Sequence, residues 1–156
     1  MNRLVGFLLI LFFFTSCTSD DDICVSGEAT PRMKVNFRDF EGNRELQVDT
    51  LFVAVDYGEG KKDIIAQAKV DSIFIPLRVD NANATDVYVK TRTEGEESHI
   101  KISYQTDQSY VSPACGFKKL YKEVSLEIDN IGPVRRVDQL QPEIINEDNA
   151  HFTFVF

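Results

Sequence analysis

From Arg32 onward, apolar residues recur at every second position. Met33, Val35 and Phe37 alternate with Lys34, Asn36 and Arg38, the period of a half-buried strand, because successive side chains of an extended chain point to opposite faces. The same period returns at Leu51, Val53 and Val55, at Ile73, Ile75 and Leu77, at Val87 and Val89, and at Ile100, Ile102 and Tyr104. It returns again at Val124, Leu126 and Ile128, and last at Phe152, Phe154 and Phe156, where a row of aromatic residues predicts the lining of a core. Between these runs lie Glu41-Gly42-Asn43, Tyr57-Gly58-Glu59-Gly60, Asp80-Asn81-Ala82-Asn83, Glu94-Gly95-Glu96 and Asn130-Ile131-Gly132-Pro133. Such residues allow a positive φ or fix φ where a chain reverses. Seven to eight short strands punctuated in this way predict an all-β fold, a single antiparallel β-sandwich, immunoglobulin-like or related. Pro76 interrupts a strand-like run and places its strand at a sheet edge. Only Asp63 to Lys69 fits helical spacing, through Ile64, Ile65 and Ala68, and it is long enough for no more than a turn.

The first residues follow a different pattern. Arg3 precedes an apolar run from Val5 to Phe14, and the small polar pair Thr15 and Ser16 leads directly into Cys17, the layout of a secretory signal. A helix of about ten residues reaches only about 15 Å, half of a hydrocarbon core of roughly 30 Å, which disfavours a permanent span. The apolar run ending in small residues and a cysteine resembles the lipobox of bacterial lipoproteins. That resemblance implies a signal peptide over residues 1–16, cleavage before Cys17, and a diacylglycerol on the Cys17 sulfur. Residues 17–29 then form a lipidated, acidic tether, and residues 30–156 the sandwich domain. Within the tether, Ser19-Asp20-Asp21-Asp22 is similar to the surface-export signal of Bacteroidota lipoproteins. The similarity implies a protein held by lipid at the outer membrane and facing the cell exterior.

Removal of residues 1–16 takes away Arg3 and no acid, leaving 16 Lys and Arg against 25 Asp and Glu. So acidic a chain disfavours nucleic acid and anionic surfaces as partners, since binding them draws on clustered Lys and Arg. Membrane affinity is therefore expected from the acyl chains. With Cys17 lipidated, two cysteines remain, Cys24 and Cys115, and an even remainder in an oxidising compartment predicts a structural disulfide between them. Closing a loop of that length restricts the unfolded chain by up to nearly ~5 kcal/mol in the chain-entropy model.

Thr30-Pro31-Arg32, Ile75-Pro76-Leu77 and Ser112-Pro113-Ala114-Cys115-Gly116-Phe117 together resemble an uncharacterised family of Bacteroidota lipoproteins classed as a domain of unknown function. The resemblance implies an envelope location and a compact β domain, and carries over no catalytic residue. Nor do the residues themselves spell out a reaction. The only histidines, His99 and His151, stand outside any catalytic motif and are expected as partly exposed residues at strand ends. No metal or other cofactor is expected. Zinc is disfavoured by the lack of clustered His and Cys ligands, and Asp80 to Asp86, though rich in oxygen ligands, fails the EF-hand spacing and reads as a polar loop. Glu94, Glu96 and Glu97 share one charged turn, and Gly58-Glu59-Gly60-Lys61-Lys62 lacks the spacing of a phosphate loop. Asp49-Thr50-Leu51 and Asp71-Ser72-Ile73 look like the O-glycosylation acceptor pattern of exported Bacteroidota proteins, which would put sugar on Thr50 and Ser72. Tyr104 and Tyr110, near Cys115, could form a surface patch, which the sequence does not decide. The resulting expectation is a non-enzymatic binding or assembly module whose partner is an envelope protein or a glycan. Its competitor is a surface enzyme acting on a glycan or peptide through carboxylates that only the fold brings together.

Overall fold

The computed structural model describes residues 29–113 and 115–156. Among these residues there are nine strands and no helix: β1 (Met33–Arg38), β2 (Val48–Asp56), β3 (Lys61–Val70), β4 (Ser72–Ile75), β5 (Ala84–Lys90), β6 (Ser98–Ser112), β7 (Gly116–Asn130), β8 (Arg136–Gln139) and β9 (Phe152–Val155). They form two sheets, one in the order β4-β1-β9-β8 and one in the order β3-β2-β5-β6-β7. The inward rows read from the alternation meet between them. Met33, Val35, Phe37, Ile75, Phe152 and Phe154 from the smaller sheet join one apolar cluster with Leu51, Val53, Val55, Val87, Val89, Ile100 and Ile102 from the larger. Each buried side chain of this size is worth roughly 1.5–3 kcal/mol of transfer free energy. That is what holds two sheets of short strands face to face.

Seven of the strands coincide with the seven alternating runs, and β4, which ends just before Pro76, lies at a sheet edge. Three features differ from the sequence reading. The 61–70 segment is a strand and not a helical turn. It pairs antiparallel with β2 across a turn in which Gly58 and Gly60 take positive φ, and the register skips between Val53 and Ala54 so that Ile64 has no partner. That extra residue lets Ile64 and Ile65 both pack on the core, which imitates helical spacing in the sequence. Second, β8 is too short and polar to show an alternation, yet it pairs with β9 over four residues. Third, β1 and β9 run parallel, with Val35 opposite Phe152 and Phe37 opposite Phe154, whereas the other paired strands are antiparallel.

Two placements matter for function. β6 and β7 form a long hairpin paired from His99 and Asn130 to Ser112 and Gly116, while β5 accompanies β6 only as far as Ser103. The far half of the hairpin therefore projects past its neighbour. His151, immediately before β9, is buried, with its Nδ1 accepting the Lys34 amide at 2.9 Å and its own amide donating to the Lys34 carbonyl at 2.9 Å. This corrects the expectation of two partly exposed histidines at strand ends: only His99 is partly exposed.

Candidate functional site

Because Val87, Val89, Ile100 and Ile102 face the core, their neighbours in β5 and β6 face outward. The register then decides which of those meet. Tyr88 lies opposite His99, Asp86 opposite Lys101, and Asp56 of β2 opposite Asp86. Tyr88 and His99 stack with ring centroids 4.6 Å apart and planes 7° from parallel. The His99 Nε2 lies 2.8 Å from an Asp86 carboxylate oxygen, and Nδ1 lies 3.5 Å from Asp129. Asp129 reaches the ring because the β6–β7 register shifts between His99 and Ile100. Lys61, at the start of β3, holds its ammonium 3.6 Å from the Tyr88 ring centroid and also pairs with Glu97. A cation over an aromatic face is attracted by the ring quadrupole. Thus Glu97, Lys61, Tyr88, His99 and the two aspartates make one connected group drawn from β3, β5, β6, β7 and the turn before β6.

The electrostatics follow from the geometry. Partial burial raises the Tyr88 hydroxyl above its ordinary value, and the Asp86 carboxylate adds to this while Lys61 opposes it. Tyr88 stays neutral at physiological pH as a donor and acceptor. Asp86, His99 and Asp129 bring their ligand atoms within 4.8 Å of one another, and these are the residues a divalent cation would draw on. However, the two carboxylates address opposite nitrogens of one ring, and a single ion can take only one of them. The arrangement is that of an imidazole oriented by its Nε2 hydrogen bond to Asp86 and its stacking on Tyr88, with Asp129 near the other nitrogen. Beside it, where Asp86 pairs with Lys101, lies a shallow polar depression of about 340 Å³ lined by Asn83, Lys101, Ser103, Gln105 and Glu123. Together they offer a solvent-facing array of pre-positioned donors and acceptors suited to a polar ligand.

A family model described as a family of unknown function, DUF6452, matches residues 48–156. The chain belongs to the DUF6452 family. No curated protein and no solved structure matches it. The DUF6452 match covers the outward-facing cluster in full. It begins at Val48 and so leaves out β1, although β1 lies between β4 and β9 in the smaller sheet.

The residues singled out in the sequence are scattered over this DUF6452 domain. Cys17, Ser19, Asp20, Asp21, Asp22 and Cys24 lie outside the described residues. Cys115 sits in the turn between β6 and β7, its amide donating to the Ser112 hydroxyl at 3.1 Å. Thr50 stands within the paired part of β2, opposite Ala68, and Ser72 opens β4 with its hydroxyl on Asp71 at 2.9 Å. Asp80 is gripped by Arg78 through two hydrogen bonds of 3.1 and 2.5 Å, and that guanidinium holds its carboxyl below the usual range. Tyr104 does not join a surface patch: it is buried, edge-on to Tyr121, with its hydroxyl 2.6 Å from Thr85. Tyr110 is exposed and instead meets Phe117 across the hairpin. Of the cluster, the sequence raised His99, Glu97, Asp86 and Lys61, each in a separate motif that failed its spacing or stood alone, and did not mark Tyr88 or Asp129. The readable signal was a tyrosine and a carboxylate at the outward positions of a valine-rich strand.

Proposed function

We propose that this chain is an envelope-anchored lipoprotein whose mature domain is a binding or assembly module, taking a polar partner, protein or glycan, on the outward face of its larger sheet. The observation that carries the reading is the His99 imidazole, held between Asp86 and Asp129 and stacked on Tyr88 on the solvent side of the sheet. Fixing a ring in this way loses side-chain freedom in advance, so a partner gains hydrogen bonds at lower entropic cost. The anchor rests on the lipobox-like run ending at Cys17, and an origin in Bacteroidota and a position at the cell surface rest on the Ser19-Asp20-Asp21-Asp22 similarity. A Cys24–Cys115 disulfide belongs to the same reading. It is supported by the course of the chain, because the Lys119 amide donates to the Thr30 hydroxyl at 3.0 Å and so draws the start of the described chain to the Cys115 end of the hairpin.

Two measurements test this. Cells producing the full-length chain incorporate labelled palmitate into it, and Cys17→Ser abolishes the label; label that persists in Cys17→Ser overturns the anchor. A photo-cross-linking residue in place of Lys101, which is exposed beside the cluster, gives a discrete adduct in intact cells that disappears in the Tyr88→Ala, His99→Ala double variant. No adduct, or an adduct indifferent to those substitutions, overturns the binding face.

A further inference from the structure

The far end of the β6–β7 hairpin carries an exposed aromatic pair. Tyr110 and Phe117 are 59% and 66% exposed, opposite each other in register, with ring centroids 5.4 Å apart and planes at 68°. Other large apolar residues are as exposed, among them Phe40 at 55% and Ile131 at 62%, but Tyr110 and Phe117 are an exposed pair of rings in contact with each other. The charge pattern changes at the same place. From Gln108 to Lys122 there are three lysines and no Asp or Glu, the longest acid-free run after the N-terminal one, although Lys122, farthest from the tip, pairs with Asp107 of β6 at 2.7 Å. We propose that this hairpin end, led by Tyr110 and Phe117, rests in the interfacial layer of the lipid bilayer to which the chain is anchored.

The occupant is argued from where the chain enters the fold. Thr30 is tied to Lys119, two residues from Phe117, so the tether emerges beside the aromatic pair. Twelve residues separate Cys17 from Thr30, a reach of at most about 45 Å. With Cys24 bonded to Cys115 only six residues would intervene between Cys17 and Cys24, a reach of about 25 Å. In either case the chain enters the domain at the end that carries the exposed rings. The interface between headgroups and acyl chains is where amphipathic aromatic rings are enriched, since one edge is apolar and the other wet. Lysines near that level extend their charge to the headgroups, whereas carboxylates add a desolvation penalty there. The long hairpin serves as a spacer, since its His99 end stands roughly 40 Å from its Phe117 end at about 3.3 Å per residue. The cluster around His99 is thereby held clear of the lipid. This inference rests on the lipid-anchor reading, and the test separates the two.

The chain has no tryptophan, so Phe117→Trp places a single fluorophore at the hairpin end. Ile131→Trp, at an exposed position just beyond the opposite end of β7, is the control. Each full-length protein is lipidated in cells, checked for palmitate, and reconstituted into phosphatidylcholine vesicles with or without bromine near the top of one acyl chain. Phe117→Trp is expected to emit at shorter wavelength than Ile131→Trp, to lose roughly half or more of its emission in brominated vesicles, and to resist acrylamide, as an interfacial ring does. Palmitate-labelled protein whose Phe117→Trp fluorophore is no more quenched than that of Ile131→Trp overturns the bilayer contact and leaves the anchor standing. A blue shift that grows with protein-to-lipid ratio but ignores bromine also overturns it, in favour of a second copy of the chain. Unlabelled protein that fails to float with the vesicles overturns the anchor and the contact together.

Discussion

His151 shows how much one side chain can join. Its Nδ1 accepts from Lys34 in β1, its amide pairs with the same residue, and it immediately precedes β9. Burial lowers its pKa, the nearby Lys34 ammonium pushes the same way, and a hydrogen bond to the Asn146 backbone and the Glu147 carboxylate oppose them less strongly. Between the lowered folded value and the ordinary value of about 6.5, the unfolded chain binds more protons than the folded one, so stability falls as pH drops through that window and is whole above it. Glu147 acts lower. The Arg32 guanidinium holds its carboxyl below the usual range, so its contribution is present above the ordinary carboxylate value and is lost as pH falls toward the folded one. The urea midpoint is therefore expected to decline from pH 7 to 5 in the native chain and to decline visibly less in His151→Gln, which also costs about 1–3 kcal/mol at pH 7 through the buried Lys34 amide left poorly partnered. Equal slopes in the two proteins would show that His151 titrates as it does in the unfolded chain. None of this was legible in the sequence, where alternation marks the two faces of a strand but not whether a second layer covers a residue at its end. Tyr104, by contrast, was legible as the continuation of the inward row of Ile100 and Ile102, and it is buried.

At the scale of elements, alternation located β1, β2, β4, β5, β6, β7 and β9 because each has one wet and one dry face. It missed β3, whose bulge turns two consecutive isoleucines inward, and β8, which offers a single half-buried apolar residue, Val137. The cluster around His99 was illegible for a related reason. Each member is an ordinary outward residue in its own strand, and only the pairing of Tyr88 with His99 makes them neighbours. The turn after β7 shows how tightly these elements are fitted. A methyl group on Gly132 would lie 2.6 Å from the Glu97 carbonyl carbon and 2.6 Å from the Ser98 nitrogen, both backbone atoms. The buried Ser98 hydroxyl accepts the Gly132 and Val134 amides at 3.1 and 2.9 Å. Gly132→Ala is accordingly expected to destabilise by about 1–3 kcal/mol through forced backbone movement, and its denaturation midpoint should fall well below that of Gly95→Ala, where the new methyl meets only the Arg92 Cβ at 3.5 Å.

For the whole molecule, the family match and the folding unit do not share a boundary. A chain beginning at Val48 keeps the matched region but opens a gap between β4 and β9, removing Met33, Val35 and Phe37 from the core. Losing three buried side chains worth roughly 1.5–3 kcal/mol each approaches the entire stability of a typical domain. Such a chain is expected to show no cooperative unfolding transition and a collapsed amide spectrum, and a native-like transition would show that β1 is dispensable. The parallel pairing of β1 with β9 also bears on timing. Neither strand of that pair can settle until the last residues have been synthesised, and β8 waits for the same partner. Contacts so distant along the chain form slowly. Were the chain exported as proposed, this order would keep the smaller sheet open until β9 had crossed. The strand that completes the core thus also sets the earliest moment at which the core can close.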